Sequence, residues 1–287
     1  MKKNEMTGYC TKATSLALGM LICCGTVSAQ EQAGMGAEGS QLDISLEAQA
    51  REPFQIFDNL YFVGIEFVAS FMITTSDGLI LIDTLYGDEG YGDYLFNNIR
   101  SLGFDPADLK YVVITHGHRD HYGGAHELQE RTDAIIGAAE ADWTLIQAEL
   151  GYPAPERDWV IEQDDTLILG NTTLRFDITP GHTPGVVSIE FPVFDQGREH
   201  KVYLHGGSAP RTSEPAGIRE FIDGLERVKA IEGIEVRIAN HPFIDNLFER
   251  AEALARRQPG EAHPFVAPEA FYAWIDDLIT NTEESLE

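Results

Sequence analysis

Residues 111–121 read Tyr-Val-Val-Ile-Thr-His-Gly-His-Arg-Asp-His. The continuous apolar run Tyr111 to Ile114 suits a short buried strand, and it leads directly into His116, His118, Asp120 and His121, all metal-ligand types. In extended backbone, residues i and i+2 project to the same side, so His116 and His118 can grip one ion, with Gly117 leaving space between them. Asp120 and His121 fall in the turn toward the next helix, where they can face a second ion about 3.5–4 Å away, the spacing of two-metal sites. Gly123 and Gly124 let that helix begin close by. Imidazoles this close repel one another when protonated and have little structural use in a solvated loop, so metal binding is the reading that explains the cluster.

This cluster alone cannot close two coordination shells, and the sequence supplies two further histidines at strand ends. His182 lies in Thr179-Pro180-Gly181-His182-Thr183-Pro184-Gly185, where Pro and Gly set a tight turn that presents the imidazole. His241 follows the strand-like Val236 to Ala239 and is held between Asn240 and Pro242. Asp83 ends Leu79-Ile80-Leu81-Ile82 and is expected to accept a hydrogen bond from a ligand histidine, orienting it. His126, His200 and His263 are expected to be solvated. His205 ends the strand Val202 to Leu204 at a place suited to the rim of the site, and a non-ligand role is favoured for it.

Outward from the cluster, Phe54 to Thr84 holds three apolar, β-branched runs broken by Asn59, Gly64, Asp77 and Gly78, the pattern of a strand meander. Gly90 to Leu102, Ala125 to Arg131 and Ala138 to Glu149 read as helices, with a short strand near Ala134 to Gly137. The order then repeats. Strands are expected at Thr166 to Leu169, Thr172 to Ile178, Val186 to Phe191 and Val202 to Leu204, a helix at Ile218 to Ile231, a strand at Glu235 to Ala239, and helices at Leu247 to Arg257 and Pro268 to Thr280. Meander, helix, strand and helices occurring twice imply an α/β fold of two sheets packed face to face with helices outside. The loop Gly151 to Trp159, with Tyr152 and Trp159, is expected to roof a pocket.

The chain has 287 residues, 43% of them hydrophobic, enough for a sizeable core. Its first 29 residues differ from the rest: Lys2, Lys3 and Lys12 precede the apolar stretch Ala13 to Cys24, and Val27-Ser28-Ala29 forms a small-x-small cleavage site before Gln30. This predicts a signal peptide at 1–29 and a secreted, periplasmic protein. The apolar stretch is well short of the roughly 20 residues that span a bilayer, so no stable membrane association is expected after cleavage. Residues 30–52 are expected to be a flexible tail and 53–287 the folded domain. All three cysteines, Cys10, Cys23 and Cys24, fall in the signal, which leaves the mature chain no cysteine ligand, catalytic thiol or disulfide. The formal net charge of −27 argues against a nucleic-acid partner and points to a small-molecule substrate.

The run His116 to His121, with Gly181-His182-Thr183-Pro184-Gly185 and Asn240-His241-Pro242, resembles the metallo-β-lactamase superfamily from about Pro53 to Ile279. The resemblance implies the four-layer αβ/βα sandwich with two mixed sheets. Lactonases, glyoxalase II and tRNA-processing nucleases of that superfamily place a metal-bridging Asp between the last two histidine ligands, whereas no Asp occurs here between Gln196 and Ile222. That pattern is similar to the third subclass of class B β-lactamases. The resemblance then implies two zinc ions, one held by His116, His118 and His182 and the other by Asp120, His121 and His241. Asp120 would also orient the attacking water. Ser208 resembles a serine that this subclass uses to hold the substrate carboxylate, and Arg211 is a second candidate for that contact. His205 stands where the subclass has Asp. β-Lactam hydrolysis is thus the first expectation; hydrolysis of lactones, thioesters or sulfate esters is the second, and non-catalytic zinc binding the third.

Overall fold

Leu79-Ile80-Leu81-Ile82 is apolar throughout because both faces of its strand are covered. Ile80 and Ile82 face one buried cluster, whereas Leu79 and Leu81 face another. In a computed structural model describing residues 43–149, 152–207 and 209–286, this strand is β4 (Gly78–Ile82), central to a seven-stranded sheet. The expected signal peptide, the tail as far as residue 42, and Ser208 lie outside the described residues.

The first sheet runs in order from β1 (Phe54–Phe57) through β2 (Leu60–Phe62), β3 (Phe71–Thr75), β4, β5 (Leu109–Val113) and β6 (Ile135–Ala139) to β7 (Trp159–Ile161). Strands β1 to β4 form the expected antiparallel meander, and β4 to β7 are parallel. The second sheet has the order β12 (Ile234–Ala239), β11 (Arg198–His205), β10 (Val187–Asp195), β9 (Thr172–Ile178), β8 (Thr166–Leu169), antiparallel except for β11 with β12. Phe62, Phe71, Ile80 and Val113 of the first sheet meet Phe176, Ile189, Val202 and Val236 of the second in one buried layer. Outside the first sheet pack α2 (Tyr91–Ser101), α4 (Ala125–Arg131) and α5 (Glu140–Ala148), with the one-turn α3 (Arg119–Tyr122) between β5 and α4. Outside the second lie α6 (Pro215–Lys229) and α8 (Pro268–Glu283), through Phe221, Leu225, Phe271 and Ile275, while α7 (Leu247–Arg256) packs through Leu247 and Phe248 on the layer between the sheets. The result is the four-layer sandwich expected from the sequence.

Several details differ from expectation. Asp43 to Glu52, expected to belong to the flexible tail, are in contact with the sandwich: α1 (Leu46–Gln49) docks through Gln49, whose amide donates to Asp43 O and whose Oε1 accepts from Phe67 N. Trp159 does not roof a pocket; it belongs to β7, with its ring 5.3 Å from that of Phe176. His200 and His263 are buried, not solvated. Strand β11 starts at Arg198 instead of Val202, and two-residue alternation puts His200 on the same inward face as Val202 and Leu204. His263 stacks on Phe57 at 4.1 Å and donates from Nε2 to Ile56 O. No helix among the described residues is long and apolar enough to cross a membrane.

Candidate metal centre

Parallel strands leave their carboxyl ends together, and here the ends of β4, β5, β11 and β12 converge on one edge between the sheets. Asp83 follows β4, His116 and His118 follow β5, and His241 follows β12; the turn between β9 and β10 brings in His182. Two sets of three donors result, His116–His118–His182 and Asp120–His121–His241, each with its ligand atoms within 4.8 Å of one another. The three rings of the first set stand nearly perpendicular, with centroids 4.7, 4.8 and 4.9 Å apart. In the second, His121 Nε2 lies 3.3 Å from His241 Nε2, and Asp120 Oδ2 lies 3.4 Å and 3.9 Å from those nitrogens.

These residues fit a metal by their own chemistry. His116 is 1% exposed, and its Nε2 is buried without a hydrogen-bond partner, an arrangement that is costly unless a ligand completes it. The remaining ring nitrogens are committed elsewhere: Nδ1 of His121 to Asp83 Oδ2 at 2.7 Å, of His241 to Phe67 O at 2.7 Å, and of His182 to Ala209 O at 3.1 Å. Each bond leaves Nε2 as the free donor atom. Asp83 is thus hydrogen-bonded to one of the clustered histidines, His121. Fully buried, it also accepts from Thr115 N at 2.7 Å and from Thr115 Oγ1 at 2.8 Å, and Thr115 Oγ1 lies 3.3 Å from His116 Nδ1.

Electrostatics keep most of the imidazoles neutral. Burial, then the neighbouring imidazoles, pushes His116 well below the usual range. Burial and the Arg211 guanidinium push His118 down to about 4 and His182 to about 3; burial and His121 push His241 to about 4. For His121, burial opposes charge, but Asp120 and Asp83 outweigh it and raise its pKa. Burial likewise opposes the Asp120 anion, yet His121, His241 and His118 hold it ionised. In the metal-free protein these four depressed histidines take up protons in the unfolded state before the folded one. Its stability should therefore fall as pH is lowered from about 6.5 toward about 4. The stabilising pairing of His121 acts oppositely, being complete below its unfolded pKa and lost only as pH rises through the elevated folded one. Urea unfolding of metal-free protein at pH 7 and pH 5 checks this, with the lower midpoint expected at pH 5.

His205 does not face this centre. Two-residue alternation on β11 turns it with Tyr203 toward the outer helices, where its ring lies 5.3 Å from that of Trp274. Arg211 does reach the centre: its Nη1 is 3.3 Å from His118 Nε2. A cavity of about 270 Å³ adjoins it, lined by Pro180, His182, Thr212 and Glu220 among others. A larger one, of about 600 Å³, lies beside Phe54 and Phe248 and contains no ligand residue. Tyr152 is near the ligand loop, with Arg119 5.8 Å over its ring. Gly207 runs so close to His182 that a Cβ there would lie 2.6 Å from that of the histidine, which explains a glycine at this position.

Three neighbours were not singled out from the sequence. Asp142, fully buried on α5, accepts from Gly117 N, Thr183 Oγ1 and Gly185 N. In sequence it reads as an ordinary acid in the first turn of a helix. Phe67 and Phe243 flank His241, with centroids at 4.9 and 5.3 Å, and Phe243 is 60% exposed. An exposed aromatic two residues after a ligand histidine was the available signal.

Residues 63–193 match the family model of the metallo-beta-lactamase superfamily. The fold superposes on the subclass B3 metallo-beta-lactamase BJP-1 of Bradyrhizobium japonicum with a TM-score of 0.72 and 30% identity, covering 82% of this chain and 94% of that one. The chain belongs to the metallo-β-lactamase superfamily. The Rm3 metallo-beta-lactamase is similar at 27% identity and a TM-score of 0.72, over 83% of this chain and 94% of the other. Among curated relatives, the N-acyl homoserine lactonase AttM of Rhizobium radiobacter is 36% identical over 105 residues, 32% of this chain and 40% of its own length. The probable metallo-hydrolase YybB of Bacillus subtilis is 29% identical over 126 residues, and the chain spans about half (54%) of its length. The six-donor site on this fold is the equipment of a metal-dependent hydrolase.

Proposed function

We propose that this protein is a secreted dizinc hydrolase that opens β-lactam rings. The observation carrying the reading is the composition of the donor sets: three histidines in one and Asp-His-His in the other, with His205, where a bridging carboxylate would otherwise end β11, turned away. The similarity over most of both chains to the subclass B3 enzyme BJP-1, and to the Rm3 metallo-beta-lactamase, supports it. Imidazole and carboxylate donors suit zinc, and the mature chain has no thiol to offer a softer metal.

Bound zinc supplies an acidified water and an electrophilic contact for a carbonyl oxygen. The chain's own residues do the rest. Asp120 keeps its negative charge against burial, and its side chain, 19% exposed, opens toward solvent at the ligand cluster; it orients the water and accepts its proton. Arg211, and Ser208 in the same Ser208-Ala209-Pro210-Arg211 stretch, are assigned to the substrate carboxylate; a guanidinium pairs with it bidentately. Phe243 and Phe67 form an apolar wall at the His241 end, suited to the substituent on the ring. Replacing Phe243 with Ala should lower kcat/KM roughly tenfold for substrates with a bulky apolar substituent and leave unsubstituted ones nearly unchanged, because a largely exposed ring contributes little to folding. Steady-state kinetics on a matched substrate pair checks this.

Zinc-loaded protein assayed on a penicillin, a cephalosporin and a carbapenem, beside an acyl-homoserine lactone and a thioester, tests the proposal. Hydrolysis confined to the last two would replace it with an ester-type hydrolase, the second reading, which the similarity to AttM favours. Hydrolysis of none would leave a zinc-binding protein. Secretion is tested separately: protein recovered from a periplasmic fraction should begin at Gln30.

A further inference from the structure

Asp142 is a buried carboxylate whose hydrogen-bond partners all lie on the two loops that carry the His116–His118–His182 set. Its Oδ2 accepts from Gly117 N, between two of the ligands, and from Thr183 Oγ1, next to the third, both at 2.6 Å; Oδ1 accepts from Gly185 N at 2.8 Å. The two segments meet directly at their base, where Val187 N donates to Thr115 O at 2.7 Å, and at the ligands themselves Asp142 is the side chain that ties one loop to the other. Gly185 is packed to receive it, since a Cβ there would lie 2.7 Å from Asp142 Oδ1. The other donor set has braces of its own, His121 on Asp83 and His241 on Phe67 O, with Asp83 also accepting from Thr115 beside His116.

We propose that Asp142 is a positioning residue that sets the distance between the β5 loop and the His182 turn, and so tunes the affinity of the three-histidine metal position separately from the Asp-His-His position. The proposal rests on the dimetal reading. Two short bonds to one oxygen leave no slack, and an Asn at this position would aim an NH2 group at donors on one side or the other. Loss of such a bracing partner typically weakens metal binding 10–100-fold.

The test is a stepwise titration of metal-free protein with Co²⁺, followed by visible absorption, with elemental analysis after dialysis and circular dichroism to confirm the fold. For Asp142→Asn one ion should bind as in the unaltered protein and the other 10–100-fold more weakly. For Asp83→Asn the position that includes His121 should weaken at least as much as the three-histidine one. Thr183→Val, which removes one of the three bonds and leaves the loops otherwise intact, should weaken the first position about fivefold and decides the matter if Asp142→Asn does not fold. Equal weakening of both positions in Asp142→Asn, or no change in Thr183→Val, overturns the proposal. Failure of the unaltered protein to bind two ions removes its premise and refutes the dimetal reading instead.

Discussion

Asp120→Asn should leave the fold unchanged and lower turnover by about 10²–10⁴-fold at saturating zinc. The side chain sits in the Asp-His-His set, with Oδ2 3.4 Å from His121 Nε2, and it is ionised because three imidazoles offset its burial. Asn keeps the shape and one oxygen donor but cannot accept a proton from water. It also removes a negative charge from a position that His121 and a metal both use, so part of the loss will appear as weaker zinc binding. Measuring turnover across a zinc titration separates the two effects: the binding defect disappears at high zinc and the proton-transfer defect does not. Turnover within tenfold of the unaltered enzyme under saturating zinc would sink the assigned role.

Asp83→Ala should give the largest loss of stability. Its carboxylate is fully buried and receives bonds from Thr115 N, Thr115 Oγ1 and His121 Nδ1. Truncation leaves those donors buried without a partner, and His121 loses one of the two anions that favour its charged form. Breaking a buried hydrogen-bonded pair in this way costs about 3–5 kcal/mol, on the order of 10 °C in Tm for a domain of this size. The backbone adds to the loss, because Asp83 has φ +62°, a left-handed conformation that Ala tolerates less well than Asp. Thermal unfolding of the metal-free form checks the prediction, and added zinc should recover less stability than in the unaltered protein, since His121 is no longer oriented. A Tm change below about 3 °C would mean that water replaces the carboxylate at no cost.

The six donors were legible in the sequence because each lies where local chemistry announces it: a His-x-His pair at a strand's end, an Asp-His pair in the following turn, and single histidines framed by Pro, Gly or Asn. The sandwich was legible for a related reason. Runs such as Leu79 to Ile82 are apolar at every position only when both faces of a strand are covered, and turn residues punctuate them. Long-range packing decided the rest. His200 is buried and His205 faces the outer helices because β11 begins earlier than its apolar run and alternation then dictates each side chain's direction. Asp142 became the brace of two ligand loops, and Phe243 the wall beside His241, through contacts between segments far apart in the chain. Local pattern reports which residues carry ligand chemistry, whereas what holds those ligands at their distances depends on which elements meet, and only the tertiary structure brings them together.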